Sequence, residues 1–204
     1  KVTAHLVHTR THEGLQVATP ASAWAMVARQ LTVRELIVVG DALVRVPRDD
    51  HGILLPERQL ATIEQLLTAA TAGQRKGSAK LLDALDHIRV GSASPLESEF
   101  RLDAAAAGLP EPDLDVEIRD GSGRLLGISE VVYARQRTVV EIEGDHHRTS
   151  RAQWDRDIAK YNAYVAQGWD VVRLTARHVR SPRMHGVQLV RDALSRHGWR
   201  PGTA

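Results

Sequence analysis

The chain of 204 residues contains no cysteine. Disulfides, thiolate zinc sites and cysteine nucleophiles are therefore excluded together. Aromatic residues make up 4% of it, with a single phenylalanine, too few for a platform that stacks successive bases of a single strand. No apolar run approaches the roughly 20 residues of a membrane-spanning helix, and no signal-peptide pattern is visible; no membrane association is expected, and the cytoplasm is the expected compartment. The formal net charge is only +2. That small number conceals an asymmetry. Residues 134–204 carry 13 Lys/Arg against 7 Asp/Glu, a net of +6, whereas residues 1–133 carry 14 against 18, a net of −4. A basic segment suits a polyanion such as nucleic acid, since neutralising phosphates releases counterions. A solvated arginine-rich surface has the same composition.

What is present divides the chain in two. Residues 2–18 read as a short strand-rich segment, and a run of helices follows. Thr19-Pro20 opens a helix through Leu31, and Thr32 with Glu35 forms a capping box opening a second with Leu36, Val39 and Leu43 at helical spacing. A third is expected from about Pro56 to Ala70, with Leu60, Ile63, Leu66 and Leu67 on its stripe, and a fourth over about 78–88. Asp41 and Arg45 read as surface or salt-bridge residues. The small polar stretch RVGSASP, residues 89–95, marks a junction, so a mostly helical module over 1–90 precedes a second module over 91–204.

The second module changes pattern. Ser94-Pro95-Leu96-Glu97 reads as a capping box with proline at the first helical position. DLDVEIRD then alternates, with Leu114, Val116 and Ile118 on one side; RLLGISEVVYA and RTVVEIEG supply two further strands. A helix is expected over about 150–167 with Trp154, Ile158, Tyr161 and Val165 as its apolar stripe, then the strand WDVVRLT and a terminal helix. The order is helix, three strands, helix, strand, helix, an α/β class.

The chemistry concentrates in VVEIEGDHHRTSRAQWDRD, residues 139–157. Side chains two apart on a strand share a face, so Val139, Glu141 and Glu143 point one way. In the preceding strand Leu126, Ile128, Glu130 and Val132 share a face, and Glu130 stands where the pattern asks for an apolar residue. If these strands pair, Glu130 and Glu141 meet at one end of the sheet. A carboxylate in an apolar row needs a counter-charge, because desolvating it alone costs several kcal/mol. Two or three convergent carboxylates make a hard-oxygen site suited to Mg²⁺ or Mn²⁺, and a neighbouring histidine can move a proton. Arginines on an exposed sheet face would account for the same acids as ion pairs.

These segments resemble the Vsr-like endonuclease domain, a branch of the restriction-endonuclease-like PD-(D/E)XK superfamily. The likeness covers about residues 91–180 and rests on SPLESEFR, GLPEPDLDVEIRD, VVEIEGDHHR and WDRDIAKYNAYVAQGWDVVRLT. It implies a restriction-endonuclease-like core preceded by the mostly helical module, and hydrolysis of DNA phosphodiester bonds with Mg²⁺ or Mn²⁺. It makes Glu97 the helix acid, Glu130 the second-strand acid, Glu141 and Glu143 the third-strand acids, and His147 the proton-transfer residue. Glu130, Glu141 and Glu143 are the expected metal ligands. Arg148, Arg151, Arg156 and Lys160 are expected along the DNA backbone, reading no sequence.

Three departures accompany the likeness. Glu130 stands where the family pattern has aspartate, and is one methylene longer. Glu143 occupies the lysine position of the wider superfamily's Glu-x-Lys. Lys160 reads either as an exposed helix lysine or as a substitute for that positive charge. VATPASAWAMVARQLTVRELIVVGDALVR in the first module resembles, more loosely, the middle region of proteins related to type IV abortive-infection antitoxins. That likeness implies a protein partner through the first module. It also keeps open a second reading of the whole, a DNA-binding regulator on a nuclease fold that has lost its chemistry.

Overall fold

The computed structural model describes residues 6–144 and 151–202, without the side chains of residues 152 and 153. The chain is a mixed α/β protein with two sheets, dividing into two compact units, Lys1–Pro95 and Leu96–Ala204. None of the described helices is long and apolar enough to cross a membrane.

The first unit opens on an exposed antiparallel hairpin, β1 (Thr9–His12) and β2 (Leu15–Ala18). Glu13 and Gly14 both take positive φ there, the geometry a two-residue hairpin turn requires. Four helices follow: α1 (Pro20–Met26), α2 (Val33–Val44), α3 (Ile63–Thr71) and α4 (Ser78–His87). Helix α1 stops short of the expected Leu31. The Val27 N–H closes back on Trp24 O, and the chain turns to reach the Thr32–Glu35 capping box. Helix α3 starts well after Pro56, which opens only a 3-10 turn, because a second capping box, Thr62 with Gln65, sets its first turn. Of the expected α3 stripe only Leu66 is buried; Leu60, Ile63 and Leu67 are exposed. The buried side of α2 is Leu36, Ile37, Gly40, Asp41 and Val44, leaving Val39 exposed. Asp41 is no surface residue. It is fully buried, and its carboxylate accepts the Arg89 N–H at 2.8 Å just past the end of α4. Trp24 is buried as well and donates its indole N–H to Leu36 O at 2.9 Å.

In the second unit the order is α5 (Pro95–Ala106), β3 (Asp113–Arg119), β4 (Leu125–Tyr133), β5 (Thr138–Glu143), α6 (Arg151–Ala166), β6 (Asp170–Thr175), a short α7 (Ala176–Val179) and α8 (His185–Arg196). The four strands form one sheet in the order β3-β4-β5-β6, antiparallel except for β5 with β6. The parallel pair needs a crossover, which α6 supplies. Each sheet face carries a core. Phe100 and Ala104 of α5 pack with Val131, Tyr133, Val140, Ile142, Leu174 and α8 on one face. Tyr164 of α6 packs with Ile118, Val132 and Val139 on the other.

Strand β3 departs from simple alternation. Leu114 packs into the first core, whereas Val116 joins Ile118 in the second. Asp115 between them takes φ 53° and is skipped in the β3–β4 register. A left-handed residue in a strand changes which face its neighbours point to, and aspartate tolerates that conformation better than most; the register is kept across it and shifts only between Ile118 and Arg119.

Helix α6 is rotated from its expected phase. Trp154, Ile158 and Val165 are exposed, while Tyr164 is fully buried and Tyr161 packs beside it. Residues 157, 160, 161 and 164, at helical spacing, are shielded from solvent, as is Ala163, so a polar-looking row faces the sheet. The rotation decides where Lys160 points.

Candidate active site

Strands β4 and β5 pair Val131 with Val140, Val132 with Val139 and Tyr133 with Thr138. At the next position the ladder stops, and that position holds Glu130 and Glu141. Instead of continuing the backbone pairing, Glu130 Oε2 accepts the Ile142 N–H at 2.6 Å. The carboxylate thus replaces a strand carbonyl as the partner of that amide, at the point where the two strands part.

Glu141 is 6% exposed. One oxygen, Oε2, accepts from Lys160 Nζ at 2.8 Å. The other, Oε1, is buried and has no hydrogen-bond partner among the described residues. Lys160 also donates to Ile128 O at 2.9 Å, and its ammonium lies 5.4 Å from the Tyr161 ring centroid and 5.7 Å from that of Tyr164. Lys160 therefore does not lie along the outside of its helix. It crosses to the sheet, and its side chain is 20% exposed.

Glu97, in the first turn of α5, is 2% exposed. A capping box alone would not call for such burial. Its charge reaches Glu130: the Glu130 carboxyl is pushed well above the usual carboxylate range, chiefly by burial and then by Glu97. The Ile142 N–H opposes the rise, Glu141 adds to it, and Lys160 opposes it. Tyr164, whose hydroxyl accepts from Ser129 Oγ at 3.1 Å, is pushed up to about 12 by burial, with a further contribution from Glu141. Glu97, Glu130, Glu141 and Lys160 consequently share one electrostatic neighbourhood.

Glu143 follows a different course. Arg173 on the neighbouring β6 engages it through Nε at 2.6 Å and through Nη2. The same guanidinium stands 5.1 Å from the Tyr161 ring centroid and 5.8 Å from that of Trp154. The ion pair that arginines were expected to offer any of the three strand acids is thus realised for Glu143. Arg173 was not anticipated, although an arginine inside the apolar strand VVRLT signals a buried or rim partner.

Arg151 and Arg156 are exposed on α6. His147 and Arg148 lie outside the described residues. Among the described residues, no three His, Asp or Glu side chains form a group that would by itself hold a metal ion. The signal in the sequence for Lys160 was Gly127. A glycine inside a strand marks a close approach, and a Cβ there would stand 2.8 Å from Lys160 Cγ and Cδ and 2.6 Å from Tyr164 Oη.

No protein-family model, no curated protein and no solved structure matches this chain. The functional argument therefore rests on this geometry and on the motifs themselves.

Proposed function

We propose that the chain is a metal-dependent endonuclease that hydrolyses DNA phosphodiester bonds, on a restriction-endonuclease-like core of the Vsr-like kind. The single observation that carries this reading is Glu141 Oε1, buried and without a hydrogen-bond partner among the described residues. A buried carboxylate oxygen without a donor costs of the order of 1–3 kcal/mol, and here it stands next to a second carboxylate that already resists ionisation. Lys160 supplies one positive charge for two strand acids. Mg²⁺ or Mn²⁺ fits what remains, since either takes one or two carboxylates and fills its other positions with water and phosphate oxygens. Glu130 and Glu141 would hold it. Glu143, already engaged by Arg173, stays at the rim.

Bound there, such a cation supplies a nucleophilic water and stabilises charge on the phosphate. The chain's own groups do the rest. The Ile142 N–H fixes the Glu130 carboxylate at the strand divergence. Lys160 is the cation paired with Glu141 Oε2. In this proposal Arg151 and Arg156, exposed on α6, take the phosphate backbone together with Arg148, and His147 is the proton-transfer residue. Contacts of that kind position DNA without reading its sequence.

One observation favours the rival reading of a DNA-binding regulator without chemistry. Glu130 already spends one oxygen on a backbone amide, and is longer than the aspartate of the family pattern. A protein partner through the first unit belongs to either reading. Incubation of supercoiled plasmid with Mn²⁺ or Mg²⁺ separates them. Nicking by the wild type that EDTA and Glu141→Ala both abolish is the expected result. Salt-sensitive DNA binding with no divalent-dependent product would establish the regulator instead.

A further inference from the structure

Lys160 reaches the strand acids from the flanking helix, through a slot that Gly127 leaves open. Its ammonium has three N–H groups. Two are used, toward Glu141 Oε2 and Ile128 O. The third has no partner among the described residues, and the ring faces of Tyr161 and Tyr164 flank the head. On strand β5 the position two after Glu141 holds an acid, Glu143, and that acid is neutralised by Arg173. The positive charge beside Glu141 therefore comes from α6, in a side chain long enough to move.

We infer that Lys160 is the resting counter-ion of Glu141 and the site's phosphate-facing cation: it competes with a divalent cation for the carboxylate and, released from it, donates to a non-bridging oxygen of the scissile phosphate. The inference rests on the nuclease reading. Its physical basis is that two cations beside one carboxylate repel each other, so each weakens the other's hold by the same factor. A lysine that merely props Glu141 in place behaves in the opposite way, since its loss would weaken metal binding.

The absence of cysteine elsewhere in the chain makes a clean test available. Lys160→Cys introduces a unique thiol, which 2-bromoethylamine converts to a side chain of lysine's length and charge, and iodoacetamide to a neutral one. Mn²⁺ affinity is read by calorimetry, and plasmid nicking in parallel. The unalkylated and neutral forms are expected to bind Mn²⁺ about three- to tenfold more tightly than wild type. They are expected to nick about 100-fold more slowly. Aminoethylation should reverse both changes. Lys160→Met, which keeps the apolar stem, repeats both measurements if Lys160→Cys does not fold. Mn²⁺ binding that is unchanged or weaker in the neutral forms overturns the inference, as does nicking that survives without the ammonium. If the wild type itself cuts no DNA, the nuclease reading fails; the Mn²⁺ comparison then still decides the counter-ion claim, tighter binding supporting it and unchanged or weaker binding ending it.

Discussion

Glu130→Gln is the substitution whose consequence the structure fixes most closely. The carboxyl is raised well above its ordinary value of 4.5 by burial and by Glu97. The native state therefore holds a proton that the unfolded state releases, over the range between the ordinary carboxylate pKa and the raised one. Stability must fall as pH rises through that range, and the penalty is complete only above the raised pKa. Below the ordinary value both states are protonated and the penalty vanishes. Glutamine keeps an oxygen for the Ile142 N–H and carries no charge, so the variant escapes the penalty. Each pKa unit is about 1.4 kcal/mol, so a carboxyl pushed up to about 8 gives the variant an advantage of the order of a few kcal/mol at alkaline pH, less whatever attraction to Lys160 is lost. For a unit of this size that is of the order of 10 °C in melting midpoint. Circular-dichroism melts of both proteins in EDTA, from about pH 4 to about pH 9, measure it. The curves should coincide at the acid end and separate progressively, with the variant more stable. A difference that does not change with pH, or a variant less stable in alkali, would refute the assignment of Glu130 as a buried, repelled acid.

Gly127→Ala should displace Lys160 and Tyr164, since the new methyl meets both at under 3 Å; a stability loss of about 1–3 kcal/mol in denaturant melts is expected, with Mn²⁺-dependent nicking reduced as well. Arg173→Gln removes the partner of Glu143 and the cation between Trp154 and Tyr161, worth about 0.5–1 kcal/mol for each ring contact; tryptophan fluorescence should change, and cleavage should survive because Glu143 is not a ligand in this account. Asp41→Ala leaves the Arg89 N–H without its acceptor in the helical unit, and a loss of about 1–3 kcal/mol on chemical unfolding is expected.

The strand pattern of the second unit was largely legible. Alternation and turn residues placed β3, β4 and β5, and the shared face of Glu130 with Val132 and of Glu141 with Val139 anticipated the meeting of the two acids where the ladder ends. Alternation was no guide at Asp115, because one left-handed residue exchanges faces, and sequence does not announce which aspartate will adopt it. Apolar periodicity placed α6 but not its buried face. Trp154, Ile158 and Val165 form the better hydrophobic stripe, yet the helix turns Lys160 and Tyr161 inward because the strand acids need a counter-charge more than the core needs another aliphatic contact. Glu97 read as a cap residue by local spacing; its burial depends on the sheet it packs against, which no local rule contains. In the helical unit, Thr62 with Gln65 outweighed Pro56 as a helix start, a contest between two valid signals that packing decided.

The central claim, that Glu130 and Glu141 together form a divalent-cation site, is tested most directly by Mn²⁺ titration calorimetry on the wild type beside Glu130→Gln and Glu141→Gln. The account predicts one saturable site in the wild type, weakened at least about tenfold in each variant, with binding that strengthens as pH rises because the cation competes with the proton on Glu130. Equal Mn²⁺ binding by all three proteins would contradict it.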